Sequence, residues 1–382
     1  MVSAVPAVGF VGTYPPTQCG LATFTRALLR SMTDHEPGRA VGVVAVVEHE
    51  PTASPAPPVV ATWVQGDLES CMRAVGALDD YDAVILQHEY GIFGGPDGDE
   101  VITLLNELEP PVITVVHTVL MDPTGGQRRV LEQVCRSSQR VVVMTNAARC
   151  RLHGAYNVDR GKTVVIPHGA PRSVAPSHGS SERPLVLTWG LLGPGKGLEL
   201  AIDAMDELRD LVPLPRYVIA GQTHPKVVEA SGEIYRESLM ARVARAGLGH
   251  MVEFDDAYCD PRALSELIAQ CDVVLLPYES REQVTSGVLV EATAAVKPVV
   301  ATAFPHAVEL LGPGAGATVR HDDPVAMGQA VRRILIHPRT AAGMRAAAAR
   351  VAPQLFWSSV GQRFGELVAA VVARRSVSPA VA

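Results

Sequence analysis

The sequence is short of lysine. Of its 33 basic residues only four, Lys162, Lys196, Lys226 and Lys297, are lysines, so an ammonium set inside a glycine-rich loop is a marked position rather than filler. No apolar run reaches the roughly 18 residues that a membrane span needs, and the start, Met1 to Val11, lacks the basic stretch and longer apolar core of a signal peptide. A cytoplasmic protein is expected. The six cysteines (Cys19, Cys71, Cys135, Cys150, Cys259, Cys271) form no CxxC pair, which excludes a disulfide framework and a zinc cage and points to reduced, mostly buried thiols. A net charge of −7 removes the chain-wide basic footprint of a nucleic-acid binder. No GxGxxG follows the first apolar run, which argues against a dinucleotide-dependent oxidoreductase. The acidic cluster Asp79–Asp80–Tyr81–Asp82 precedes a strand pattern and reads as a helix cap or surface, so no metal site is expected.

The chain nonetheless has ample material for a core: 47% of its 382 residues are hydrophobic and 19% charged. That length exceeds what one core usually serves and predicts two domains. Short Val- and Ile-rich runs without polar alternation recur between helix-length amphipathic segments, the pattern of parallel sheets covered on both faces. In the first half the strand candidates are Val5–Val11, Val41–Val47, Ala83–Gln87, Val112–His117, Arg140–Met144 and Thr163–Ile166, six in all. Helices are predicted at Ala22–Met32 and Gly126–Ser138, and Pro51–Pro58 as a proline-stiffened surface loop. The Pro-, Gly- and Ser-rich stretch Ser173–Arg183 reads as a connector. Beyond it six more strands are expected, at Leu185–Trp189, Arg216–Ala220, Val252–Phe254, Val273–Leu276, Val299–Thr302 and Ala317–Val319. Helices are expected at Leu198–Leu208, Ser265–Gln270 and Gly287–Ala295. The fold class is therefore α/β, with two doubly wound, Rossmann-like parallel-sheet domains over 1–175 and 183–352 facing a cleft. The tail, 353–382, carries a helical pattern (Phe356–Val372) with no strand after it, which must dock on something already built.

In open α/β sheets ligands bind beyond the carboxyl ends of strands, where loops and helix N-termini gather. The first such loop, Gly12–Gly20, ends on an amide, that of Gly20, well placed for a phosphate or sugar. Gly190–Gly197 (GLLGPGKG) matches seven positions of a P-loop but ends on glycine where a Ser or Thr must reach Mg²⁺. It can still neutralise a diphosphate with Lys196 and backbone amides, without metal. Thr285 or Ser286 would cap the helix opening at Gly287, whose free N–H groups suit an anion. His117 closes an apolar strand and is either structural or a site residue. His88, Glu89 and Tyr90 follow another strand and either contact an acceptor or pack.

These pieces, in order, resemble the GT-B glycosyltransferases, specifically the retaining enzymes of glycosyltransferase family four. Cys19–Gly20 resembles the family's first glycine-rich turn, and Val116–His117–Thr118 its catalytic-histidine strand end. Ile166–Pro167–His168–Gly169 resembles its Ile-Pro-Asn-Gly stretch, and Gly190–Gly197 its Gly-Arg…Lys-Gly phosphate loop. Gln283 to Glu291 occupies the E-x7-E motif, Phe304–Glu309 the proline-acid loop behind it, and Phe356–Trp357–Ser358 opens the helix that crosses back to the first domain. Two positions depart. Gln283 replaces the glutamate that holds donor-sugar hydroxyls, with Glu282 beside it, and Leu191 replaces the loop arginine, for which Arg281 is a candidate substitute.

The resemblance implies transfer of a sugar from a nucleotide-diphosphate sugar to an acceptor hydroxyl with retention, without metal or other cofactor. Lys196, Gly20, Ser286 and Gly287 would meet the diphosphate, Gln283 and Glu282 the sugar, Glu291 the ribose, and His117 the sugar near its reacting carbon. GDP-mannose, UDP-glucose and UDP-N-acetylglucosamine all fit as donors, and a small molecule, glycan or lipid as acceptor, bound near His88, Glu89 and Tyr90. Hinge closure on donor binding is expected. The arginines between 332 and 350 form either a solvated helix face or a peripheral membrane contact. The alternatives are a sugar-nucleotide-binding protein impaired in catalysis, suggested by Gln283 and Leu191, and a non-hydrolysing sugar-nucleotide epimerase.

Overall fold

A computed structural model describes residues 5–51, 56–172, 182–255 and 261–377, with the side chains of 261, 262, 376 and 377 left aside. Cys259, residues 52–55 of the proline run and 173–181 of the connector lie outside this set. The chain forms two compact units, one of Met1–Gly169 with Trp357–Ala382, the other of Ala170–Phe356.

The first unit runs β1 (Val8–Gly12), α1 (Gly20–His35), β2 (Val41–Val47), β3 (Val59–Val64), α2 (Leu68–Leu78), β4 (Ala83–His88), α3 (Glu100–Glu107), β5 (Val112–Val116), α4 (Gly125–Ser137), β6 (Arg140–Val143), α5 (Asn146–Ala155) and β7 (Thr163–Val165). Its sheet has the order β3-β2-β1-β4-β5-β6-β7, with parallel pairing throughout. Seven strands stand where the sequence pattern suggested six. The additional one, β3, is an edge strand with a half-buried pattern directly after the proline run, so it lacks the unbroken apolar signature of its neighbours. Alternate residues serve opposite faces. Val8, Phe10, Val43, Ile85, Val115 and Val142 pack with one helical layer, while Val11, Val44, Val84 and Leu86 pack beneath α2 and α3.

The second unit runs β8 (Leu185–Trp189), α6 (Leu198–Ala204), β9 (Arg216–Ala220), α7 (Pro225–Ser231), α8 (Ile234–Arg245), β10 (Val252–Asp255), α9 (Pro261–Gln270), β11 (Val273–Leu276), α10 (Gly287–Ala294), β12 (Val299–Thr302), α11 (Pro305–Leu311), β13 (Gly316–Val319), α12 (Pro324–Ile336) and α13 (Pro338–Leu355). Its parallel sheet has the order β10-β9-β8-β11-β12-β13. The arginines between 332 and 350 do not share one helix: Pro338 opens α13 after α12 has ended, and Arg332 is paired with Asp210 at 2.7 Å.

The last helix, α14 (Trp357–Val377), belongs to the first unit. It lies against α1, where a side chain at Gly361 would fall 2.3 Å from the Ser31 hydroxyl, and its Val360, Phe364 and Val368 complete the core layer with Phe24, Leu28 and Met32 of α1. None of the helices among the described residues is long and apolar enough to cross a membrane.

Both sheets reverse their direction of growth at one place, between β1 and β4 in the first unit and between β8 and β11 in the second. At such a switch point the connecting helices leave to opposite faces, and the strand ends stay open to a ligand.

Candidate active site

The loops singled out in the sequence lie at the strands that flank the two switch points: Gly12–Gly20 starts on the last residue of β1, His88 closes β4 rather than following it, with Glu89 and Tyr90 beyond, Gly190–Gly197 follows β8, and the segment to Ser286 follows β11. The two units present different chemistry there.

In the second unit the glycine loop is fixed from below. Gly197 has a φ of +68° and caps α6, and a Cβ there would stand 1.9 Å from the Pro277 carbonyl oxygen. The Ser or Thr of a P-loop is thus excluded by space as well as by conformation. Glu279 N–H donates to the Gly195 carbonyl at 3.1 Å, and the Leu192 amide and carbonyl pair with Gln222 and His224, so β8 and β9 exit as one piece. Lys196 extends over the ring of Tyr278 with its Nζ 4.9 Å from the centroid. Burial lowers the pKa of this ammonium, which costs solvation that an incoming anion could replace. His224 lies near enough to Lys196 and Lys226 for both to add to the lowering that burial imposes on it. Arg281, the candidate replacement for the missing loop arginine, is instead paired with Asp322 at 2.8 Å in an exposed ion pair.

The helix α10 opens beside this loop, for a side chain at Gly190 would lie 3.9 Å from Val288. Ser286, not Thr285, caps it, its hydroxyl accepting from the Leu289 N–H at 3.2 Å. The Ser286 N–H is itself given to Nδ1 of buried His306 at 2.9 Å. Gln283 donates its amide to the Thr285 carbonyl at 3.0 Å, which turns the amide group onto its own loop and leaves Oε1 as the acceptor end. Glu282 is exposed next to it. The Thr285 hydroxyl is buried with no partner among the described residues. One turn into α10, Glu291 accepts from the indole N–H of Trp189 at 3.0 Å; burial raises its carboxyl and this bond opposes the rise. The Glu291 carboxylate also acts on Tyr278, whose phenol burial pushes up to about 12 against a hydrogen bond with Ser286. Lys196, Tyr278, Ser286, Gly287, Glu291 and Trp189 therefore form one connected cluster.

In the first unit the ends of β4 and β5 are joined through both backbone and side chains. His117 N–H donates to the His88 carbonyl at 3.1 Å, its ring Nε2 meets Gln87 Oε1 at 2.7 Å, and the Thr118 hydroxyl donates to Glu89 through a short bond. The other Glu89 oxygen accepts from the Tyr90 N–H at 3.1 Å. His88 is fully buried, edge-on to Tyr90 at 5.2 Å, with both ring nitrogens unpartnered among the described residues. Phe24, four residues after Gly20, meets His117, His168 and Trp357 edge-on at 4.9, 5.0 and 5.2 Å. Burial pushes the His117 imidazole down to about 3, with His168 and His88 adding to the shift, and takes His88 and His168 to about 4. All three rings are neutral near pH 7. Gly20 is exposed at the first position of α1, which Cys19 caps.

The structure brings the named residues into two groups, Gly20, His88, Glu89, Tyr90 and His117 in one unit and Lys196, Gln283, Glu282, Ser286, Gly287 and Glu291 in the other. It adds Gln87, Thr118, Trp189, Tyr278 and His306. Trp189 is legible as an aromatic closing a strand just before a glycine loop, whereas His306 is a lone histidine after a proline whose partner lies 20 residues away. Among the described residues no group of three or more His, Cys, Asp or Glu side chains could hold a metal ion.

No curated protein matches the chain in sequence. Solved structures do match in fold. Anabaena HepE in complex with UDP and glucose aligns with a TM-score of 0.74 at 18% identity, over 96% of this chain and 100% of its own. Sucrose-phosphate synthase from Thermosynechococcus elongatus aligns at 0.75 and 17% identity, over 97% and 100%. WaaG, a glycosyltransferase involved in lipopolysaccharide biosynthesis, aligns at 0.63 and 16%, over 94% and 99%. The family model described as Glycosyltransferase Family 4 matches residues 26–173, and that of the Glycosyl transferases group 1 matches residues 173–351. With two parallel-sheet α/β units and both models in sequence along it, the chain belongs to the group 1 glycosyltransferases of the GT-B fold.

Proposed function

We propose that the protein transfers a sugar from a nucleotide-diphosphate sugar to an acceptor hydroxyl, with retention of anomeric configuration and without a metal ion. The observation that carries this reading is the cluster in the second unit, where a partly desolvated Lys196 stands beside the open end of α10. Its Gly287 and Val288 amides are the first-turn donors not taken by Ser286. A diphosphate accepts from such donors, and Glu291, held by Trp189, accepts from ribose hydroxyls. The UDP and UDP-glucose held by HepE in its solved structures make a uridine nucleotide the first donor to test.

As the bond between the anomeric carbon and the leaving oxygen breaks, charge grows on the β-phosphate. Donors aimed at that oxygen lower the barrier, typically by about 3–4 kcal/mol for one such group. The acceptor oxygen bonds to the anomeric carbon on the face the phosphate leaves, and its proton passes to the departing phosphate oxygen. Two features support this route. An amide at position 283 cannot act as a nucleophile, and an imidazole as weakly basic as His117 is a poor general base. His117 instead serves as a neutral hydrogen-bonding group, with the acceptor placed near Glu89 and Tyr90 in the first unit.

The test is a panel of nucleotide sugars and acceptors with and without EDTA, with the product's anomeric coupling read by proton NMR. Transfer with retention, unaffected by EDTA, is expected. Inversion or a strict Mn²⁺ requirement would contradict the mechanism. Donor binding without transfer would favour an impaired binder, and conversion of the donor alone an epimerase.

A further inference from the structure

His306 stands in the first turn of α11, directly after Pro305, and is 4% exposed. It holds the loop leading into α10 at two points: its Nδ1 accepts from the Ser286 N–H at 2.9 Å, and its own backbone N–H donates to the Gln283 carbonyl at 3.4 Å. The neighbouring residues do the same further back. Thr302 Oγ1 donates to the Tyr278 carbonyl at 2.6 Å, and Phe304 stacks on the Tyr278 ring at 5.3 Å. The segment 302–306 is thus a template on which the stretch 278–286 is laid.

The bond at Nδ1 has a chemical requirement. A nitrogen that accepts carries no proton, so the ring is the Nε2–H tautomer. By taking the Ser286 amide inward, His306 also settles which amides α10 has left to offer, those of Gly287 and Val288. A phenyl ring of similar shape could fill the space but would leave a buried N–H without an acceptor, which costs more than the bond itself contributes.

We propose that His306 is a positioning residue of the donor subsite: it clasps the Gln283–Ser286 loop so that the Gln283 amide oxygen and the Gly287 amide face the nucleotide sugar. The donor part of this inference rests on the reading of that subsite given above, whereas the clasp itself does not.

Two near-isosteric variants separate shape from hydrogen bonding. His306→Phe removes the acceptor, and His306→Asn returns one close to the position of Nδ1. Amide hydrogen exchange over 283–287 in the ligand-free protein is expected to speed up roughly tenfold in H306F and to return to within about threefold of wild type in H306N. In steady-state assays H306F should raise the donor KM roughly tenfold and leave the acceptor KM unchanged, with H306N again restoring it. An internal reference needs no variant: in the ¹⁵N-labelled wild-type protein, Nδ1 of His306 should be unprotonated and coupled to the Ser286 amide proton. Exchange at the wild-type rate in H306F, a protonated Nδ1, or an equal rise in both KM values would overturn the proposal. Because exchange and NMR are read without substrate, a protected loop in a chain that transfers no sugar would overturn the functional reading and leave the clasp standing.

Discussion

The two units place their loops at the same switch point of the same sheet topology, yet fill it with opposite chemistry. The first gathers neutral groups around one carboxyl: three imidazoles held uncharged by burial, a glutamine and the edges of Phe24 and Trp357, with Glu89, whose carboxyl burial raises, bonded to Thr118 and Tyr90. The second gathers charge and oriented dipoles: Lys196 over Tyr278, Glu291 on the Trp189 indole, and the start of α10. A neutral, weakly basic site suits a hydroxyl or sugar ring, while a desolvated ammonium beside free amides suits an anion. Shared topology therefore explains where the sites lie, and the side chains at the strand ends explain what each is for.

The largest effect expected from this contrast is on pH stability. His88, His117 and His168 have native pKa values of about 3 to 4 against 6.5 for the free ring. The unfolded chain takes up protons below 6.5 while the folded one does not. The stability these rings contribute is thus full above 6.5 and is lost as pH falls toward 4. Even a proton affinity only tenfold weaker at each ring than in the unfolded chain would amount to about 4 kcal/mol for the three together, comparable with the stability of a domain. Glu291 has the opposite sign, since a carboxyl raised above 4.5 favours folding below that value and loses its contribution as pH rises through its native pKa. Hydrogen exchange between pH 7.5 and 4.5 should show the first unit losing protection before the second. Equal loss in both would erase the distinction.

Next in size is Lys196→Ala, expected to lower kcat roughly 10²–10³-fold by removing a transition-state donor, with acceptor KM unaffected. A rise in KM with kcat unchanged would mean that the ammonium binds the ground state and the transition state equally. Trp189→Phe should raise the donor KM roughly tenfold through loss of a bond to a charged group, a change visible in donor titrations and absent from acceptor titrations. The smallest effect is expected from Leu191→Arg, which adds a cation at a half-exposed position and should tighten donor binding roughly two- to fivefold. No gain, with Arg281 still paired to Asp322, would show that Lys196 alone suffices for the diphosphate.

Much of the fold is legible in the sequence because parallel strands buried on both faces read as unbroken Val and Ile runs. All four strands that flank the switch points, β1, β4, β8 and β11, are buried along their whole length and read as short, mostly apolar runs. The edge strand β3 is not buried in this way, with one of its faces only partly covered, and the proline run before it suggests a loop. Candidate residues at strand ends and in the loops after them, such as His117 and Lys196, stand out by position, whereas Glu291, inside α10, is singled out only by the resemblance to the E-x7-E motif. Residues that act through distant partners do not stand out in this way. Nothing in the order of residues pairs Trp189 with Glu291, His306 with Ser286, or Arg281 with Asp322. Trp189 meets Glu291 because β8 and β11, distant in sequence, are neighbours in the sheet, and the other two pairs join segments that follow different strands, β11 with β12 and β11 with β13. The same limit applies to Ser286, whose amide suits an anion by sequence and is taken inward by His306 in the fold.

The most direct measurement of the central claim compares calorimetric binding of UDP, UMP and uridine to the wild-type protein and to Lys196→Ala. The account predicts that UDP binds more tightly than UMP and uridine to the wild type, and that this advantage of the β-phosphate collapses in K196A while the affinity for uridine stays the same. Equal affinities for UDP and UMP in the wild type, or a UDP affinity untouched in K196A, would contradict it.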